Sequence, residues 1–420
     1  MVDSREPAGD AALPSASEAG ATGGAFQSLA IVNFRYLLGG TAASSFAFWM
    51  EQIGQGWLVA QLTDSPLQLG LVQFIRGISI IFVSPFVGGF SEHTDRRLLT
   101  GVATAVNGLG ALAIAILIVA GRIEMWHLYI TAFSGGLCSS VYNPIRQFLV
   151  FDVVEREKLP NAIALNAMVN NMARVVGPGI AGFMIGFSIS SAFFGEALFF
   201  LCGIASLAAM RLEQGVVAAG EPVLVAVRRG ASYLLHHRTL LRLTVLQAIL
   251  TMLVFPYIQL MPLMAKNYLH AGSQGYGWLQ TGVGIGAFGS GLFVARFANM
   301  RHKGLVMSLA LILYVSMILA FSFSRIYFLS LVLLIIGGVG FVTFTAFNQM
   351  LVQLHVEDEY RGRVLSLYTM SQGLNPFGAL MMGFVADRYL GTAHAIAVFV
   401  LAALVLSLLS GLASRDVRAL

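Results

Sequence analysis

Three ionisable side chains sit inside long apolar stretches: Glu51, Arg76 and Arg174. Charge in hydrocarbon is costly, so such groups face a protein interior or a water-filled cavity and mark a route for a solute or a proton. A desolvated carboxyl can hold a proton near neutral pH and release it when its surroundings change, which makes Glu51 the candidate for proton coupling, with Arg76 as its partner. Counting back from the turn they share at 1.5 Å per residue puts Glu51 about 16 Å and Arg76 about 14 Å deep, close enough to pair. A permanent pair locking two helices is the competing reading. Asn166, Asn170 and Arg174 follow at four-residue steps and share one helical face. Arg174 would there attract an anionic substrate, respond to protonation of Glu51, or be a structural cation satisfied by backbone carbonyls. Gly177, Pro178 and Gly179 come next and interrupt the helical chemistry. Gln55, Asn143, Gln247, Asn348, Gln349 and Asn375 are further polar residues within apolar spans, either lining a cavity or bonding neighbouring helices.

The elements that position these groups must be membrane helices. The chain of 420 residues is 57% hydrophobic and 11% charged, against roughly 45–50% and 25% in soluble domains. Twelve apolar stretches approach or exceed the roughly 20 residues that cross a bilayer. They are continuous and not alternating, which excludes a β-barrel. The expected fold is an all-α membrane protein of twelve transmembrane helices in two six-helix halves. Residues 1–27 read as a disordered tail, 28–210 as the N-terminal half, 211–240 as a linker with an amphipathic helix, 241–413 as the C-terminal half and 414–420 as a short tail. Pro256 and Pro262 predict a kinked seventh span, and five glycines from Gly282 to Gly291 predict a tightly packed eighth.

Nineteen of the 25 Lys and Arg residues, Arg146 among them, fall on the side shared by both termini, and four on the other. Both termini are therefore expected in the cytoplasm. The net charge of +5 reflects this orientation and not a nucleic-acid partner. Cys138 and Cys202 lie within spans as packing residues. Glu196 reads as shallow, near the outer end of the sixth span. No HExxH, GxSxG or GxxxxGK[ST] occurs, and the GxGxxG of Gly284, Gly286 and Gly289 sits in an apolar span with no strand before it. No metal, cofactor or enzymatic chemistry is expected.

The halves match each other without gaps. An offset of 202 pairs Gly135 with Gly337, Gly136 with Gly338 and Gln147 with Gln349; an offset of 207 pairs Gly70 with Gly277 and Gly77 with Gly284. Six spans return the second half to the same side, so the repeats are parallel, as in transporters whose halves rock about a central site. At Arg174 the second half has Pro376.

Segments 55–90, 159–182 and 357–388 resemble the major facilitator superfamily, specifically its exporter (drug:proton antiporter) branch that includes macrolide efflux pumps and the enterobactin exporter. That family's gating loop maps onto Gly88, Glu92, Asp95, Arg96 and Arg97, with Glu92 in place of aspartate and His93 in place of arginine. Gly177, Pro178, Ala181 and Gly182 resemble part of the antiporter motif, which implies a bent fifth helix sealing against the other half. The resemblance implies export of a small amphipathic, drug-like or siderophore-like compound by proton antiport. It also implies a monomer in contact with lipids of the bacterial inner membrane. Import or exchange of a small metabolite is the alternative on the same fold, and a membrane sensor or lipid flippase the alternative without such transport.

Overall fold

The computed structural model describes residues 26–93, 95–210, 232–297, 300 and 302–412. Nearly all of the expected tails, and most of the expected linker with its amphipathic helix, lie outside the described residues. Twelve long helices make up the rest: α1 (Val32–Thr63), α2 (Pro66–His93), α3 (Arg96–Val119), α4 (Met125–Val153), α5 (Leu159–Phe187), α6 (Ile189–Ala209), α7 (Arg238–Tyr268), α8 (Gly272–Phe297), α9 (Lys303–Phe323), α10 (Tyr327–His355), α11 (361–390) and α12 (391–412). No strand occurs among the described residues. The turns α1–α2 and α7–α8 lie at one end, called here the distal face; the α2–α3 and α4–α5 turns lie at the other, the terminal face, where Ser28 bonds Asn161 and Lys158.

Local chemistry sets the helix ends. Asp64 stops α1 in the left-handed conformation (φ 49°), and the Asp95 carboxylate caps α3 by accepting from Arg97 N at 2.8 Å. In α7, wide π turns at Leu250–Val254 and Met264–Tyr268 flank a short α segment containing Pro262, so the span is interrupted as its prolines require. In α11 a 3₁₀ turn, Ser371–Leu374, precedes Asn375 and Pro376. By contrast α5 runs unbroken through Gly177, Pro178 and Gly179. The expected interruption there does not occur, and the small residues serve packing instead.

Among the described residues, eight stretches are long and apolar enough to cross a membrane, and the one at Arg361–Ser410 has length for two crossings. They cover every long helix except α1, α4 and α5, whose polar side chains dilute their hydropathy. Large apolar side chains such as Phe82, Leu109, Leu198 and Phe328 are exposed on the outside of the bundle, where lipid contacts them.

Two seams join the halves, α2 against α11 and α5 against α8. They are equivalent under the internal repeat. Gly77 of α2 meets Pro376, and its counterpart Gly284 of α8 meets the backbone of Arg174 and Val175; Arg174 is the repeat partner of Pro376. Within each half the same holds: Gly136 of α4 rests on the Arg76 carbonyl, and its counterpart Gly338 of α10 on that of Val283, 2.5 Å from where a Cβ would stand. The backbone scaffold is thus duplicated while the charged side chains are not, since Val283 stands where the first half has Arg76.

Close approach of backbones at these glycines makes a sharp contrast testable. A Cβ at Gly286 would collide with the Ile335 carbonyl, whereas Gly289 has open space around it. Gly286→Ala is expected to destabilise the folded protein by about 1–3 kcal/mol, and Gly289→Ala to leave the melting temperature in detergent within error of wild type.

Candidate functional site

Arg76 is 5% exposed and pairs with Glu51, itself 9% exposed. Its guanidinium also donates to Gln55 Oε1 at 3.0 Å. Gln55 sits one turn after Glu51 on α1, so both reach the same cation. Its amide donates onward to Leu128 O at 3.3 Å and Thr131 Oγ1 at 3.4 Å, tying α1 to α4. Gly135 lets α4 close over the pair: a Cβ there would stand 3.2 Å from Glu51 Oε1 and 3.6 Å from Arg76 Nη2.

Glu196 of α6, which the sequence reads as shallow and leaves out of the site, joins this group. It is 3% exposed and shares a small cavity of about 20 Å³, room for a single water, with Glu51, Gln55, Asn107, Thr131 and Ser134. Its Oε2 is buried without a hydrogen-bond partner. Depth along the axis does not encode this, because it is the packing of α6 on α1 and α3 that turns the residue inward. A second buried carboxyl group therefore lies beside the one that Arg76 engages.

Two larger cavities adjoin. One, of about 690 Å³, lies between the halves and is lined by residues including Trp49, Gln73, Arg76, Arg174, Gln247, Gln280, Tyr368 and Asn375. The other, of about 370 Å³, lies within the first half and is lined by Ser45, Trp49, Glu51, Tyr142, Arg146, Asn170 and Arg174, among others. Phe48, Trp49, Ser139 and Arg174 face both.

The expected site residues divide between these places. Arg174, Gln247, Gln349 and Asn375 line the central cavity, with Gln247 accepting from Tyr368 Oη at 3.1 Å. Asn170 lines the first-half cavity and accepts from Ser45 Oγ at 2.8 Å. Asn166 lies a turn further toward the terminal face, where its carbonyl accepts from the Asn170 amide. Gln55 belongs to the charge cluster. Asn348 is wholly buried and donates to Leu243 O at 3.0 Å, so it joins α10 to α7 and lines neither cavity. The side chains of Asn143, Glu92, His93 and Arg96 lie outside the described residues, as does everything at Gly88 beyond its helical backbone. Arg97 donates to Ala208 O, and Asp95 is the cap already described.

Arg146 is the second residue that sequence reasoning misplaced. The sequence counts it among the cations of the terminal side, but it lies within α4 and donates to Asn170 Oδ1 at 3.1 Å and Ser45 Oγ at 3.5 Å. Seven residues from the helix end, it is near enough to the boundary to pass for a surface cation. Cys202, expected in the packing, is exposed on the outside of the bundle.

At the distal face the halves are tied together. Lys266 Nζ reaches Asp64 Oδ1 at 2.8 Å and Ala60 O at 2.7 Å, Ser65 Oγ donates to Asp387 at 2.5 Å, and Trp57 stacks on Tyr276 at 6.0 Å. Gly182 closes on Gly277, with a Cβ position 2.9 Å from its Cα. Ala181 beside it is buried. The central cavity begins where these ties end, so the halves are clamped distally around it. The Lys266 hydrogen bond holds the Asp64 carboxyl below its ordinary range. A depressed carboxyl contributes stability above its unfolded value of about 3.9 and loses it as pH falls through the folded value, so the latch is intact at neutral pH. Because both partners are partly exposed, Lys266→Ala is expected to shift the population toward a distally open form by about fivefold or less. Spin labels at Gln61 and His270, read by pulsed dipolar spectroscopy, would register that shift as a longer-distance component.

Comparison with known proteins agrees with this architecture. The chain is 22% identical over 345 residues to the staphyloferrin A transporter of Staphylococcus aureus, covering 81% of this chain and 86% of that one. It is 23% identical over 352 residues to the multidrug efflux pump Tap of Mycolicibacterium fortuitum, covering 79% and 83%. With macrolide efflux protein A of Streptococcus pyogenes it shares 18% identity, covering 86% and 91%. Among solved structures, a point mutant of the nucleoside transporter NupG superposes with a TM-score of 0.73 at 11% identity, covering 90% of this chain and 98% of that one. A bacterial homolog of the human lysosomal transporter Spinster gives 0.70 at 10% identity, covering 92% and 96%. These two likenesses establish the major facilitator fold. The model of the transmembrane secretion effector family matches residues 23–419, and the chain therefore belongs to that family of multi-pass membrane transporters, which are not enzymes.

Proposed function

We propose that the protein is a secondary active exporter that moves a small amphipathic compound, drug-like or siderophore-like, out of the cytoplasm in exchange for protons. One observation carries the reading: two buried carboxyl groups, Glu51 paired with Arg76 and Glu196 facing the same small cavity as Glu51, lie beside the cavity between the halves. Ionising both would leave a net negative charge in a low-dielectric interior, at a cost of several kcal/mol. One proton therefore resides in the cluster. Glu51 is engaged by Arg76 and Glu196 has an oxygen without a partner, so Glu196 is the carrier in this arrangement. Losing that proton frees a carboxylate to compete for Arg76 and to loosen its hold on Glu51. That exchange links protonation to the packing of α1, α2 and α6.

Orientation supports the direction. With Arg146 placed inside α4, eighteen of the Lys and Arg residues that the sequence assigns to the terminal side are left there, an excess that supports reading that side as the cytoplasmic one. A distally clamped bundle then receives substrate from the cytoplasm, and efflux proteins among the relatives favour export over uptake. Alternating access follows if the clamp releases as the terminal ends of the halves close.

The test uses proteoliposomes and a compound picked from a susceptibility panel in a pump-deficient host. Glu196→Gln and Glu51→Gln are each expected to reduce pH-gradient-driven transport by about tenfold or more while counterflow exchange, which needs no net proton movement, persists. Full gradient-driven transport in Glu196→Gln would remove it as the proton carrier. Absence of any substrate-dependent proton flux in wild type would favour a sensor or a flippase.

A further inference from the structure

We infer that the first-half cavity is an anion-binding subsite, in which Arg146 and Arg174 receive the negatively charged head of an amphipathic carboxylate. The inference rests on the transport reading and narrows its substrate class.

The charge balance of the cavity carries it. Glu51 is the one carboxylate among the described lining residues, and Arg76 already engages it. Arg146 and Arg174 face the same space with no carboxylate partner among the described residues, which leaves two uncompensated positive charges. Their contacts are neutral. Arg146 donates to Ser45 and Asn170, stands 5.4 Å over the Tyr142 ring, and keeps Nε buried without a hydrogen-bond partner. Arg174 stands 5.8 Å over the Trp49 ring. A guanidinium contributes a planar fork of donors that suits a carboxylate, and two of them in a desolvating cavity draw an anion strongly while repelling a cation.

The rest of the lining fits the rest of such a ligand. Phe48, Trp49 and Phe200 give an apolar wall beside the cations, and about 370 Å³ is within the size range of small-molecule sites. Arg174 and Trp49 also face the cavity between the halves, so a headgroup held in the first half leaves its apolar portion in the space whose walls separate during transport. The second half does not repeat this feature, since Pro376 occupies the position equivalent to Arg174.

Fluorescence of Trp49, which stands between the cavities, reads the field directly. A variant with Trp57, Trp126 and Trp278 replaced by Phe, checked for its melting temperature and held in nanodiscs of zwitterionic lipid, would be quenched with iodide and with caesium at equal ionic strength. With each ion's quenching divided by its quenching of free N-acetyltryptophanamide, iodide is expected to quench at least about threefold more strongly than caesium. Arg174→Gln alone, and Arg146→Gln with it where the double variant folds, should bring that ratio toward one. Decanoate should protect Trp49 from iodide, and decyltrimethylammonium should not. Nanodiscs containing phosphatidylglycerol separate the sources: protection by that lipid alone assigns the site to an anionic headgroup of the membrane, and protection by decanoate alone assigns it to a free solute. Equal quenching by both ions, or protection by the ammonium amphiphile, would overturn the inference. Since none of these readings requires transport, they can fail while proton-coupled flux in proteoliposomes succeeds, or the reverse.

Discussion

A guanidinium buried deep in an apolar bundle must be neutralised and hydrogen-bonded, and Arg76 imposes that demand on the whole first half. It draws Glu51 and Gln55 of α1 to one side. It requires glycines on α4, where Gly135 and Gly136 leave room for the pair and for the Arg76 backbone. Glu196 of α6 completes the surroundings. Three helices, α1, α2 and α4, thus meet at one charge, and the fold supplies the space by omitting side chains where they would collide.

The internal repeat separates what serves the scaffold from what serves the site. Gly77 and Gly284 make equivalent contacts across the two seams, and Gly136 and Gly338 make equivalent contacts within the two halves. Against that background Arg76 faces Val283, and Arg174 faces Pro376, in the repeat. Among the described residues, common backbone packing with the buried Glu51–Arg76 pair in the first half describes two similar scaffolds, of which the first holds that pair. Helix α2 belongs to both systems: Arg76 turns toward α4, and Gly70 and Gly77 turn toward α11. Any change in the ionic cluster that moves α2 is transmitted to the seam.

Much of this was legible in the sequence because the bilayer forces it. Continuous apolar runs determine the helices, the prolines mark the interruption of α7, and equal depth from a shared turn brings Glu51 to Arg76. What stayed hidden depends on rotation about a helix axis, which depth does not encode. Glu196 read as shallow, which left its inward rotation unseen, and Arg146 counted among the terminal-side cations because it lies near a helix end. Polar residues within spans divided on the same ground: Asn375 and Gln349 face a cavity, and Asn348 binds a backbone carbonyl of the neighbouring helix. The glycine-proline stretch of α5 was informative about close packing and misleading about helix continuity. Absence of a side chain permits both, and only the neighbouring Gly277 of α8 decides between them.

The central claim is that one proton resides on a carboxyl beside Arg76, and that Glu196 carries it. Infrared difference spectroscopy of the protein in lipid, taken across a pH titration, reads protonated carboxyl groups by their carbonyl stretch. A protonated band present at neutral pH, lost at high pH and missing from Glu196→Gln is the expected result. A spectrum at neutral pH with no protonated carboxyl, or a band unchanged in Glu196→Gln, would contradict it.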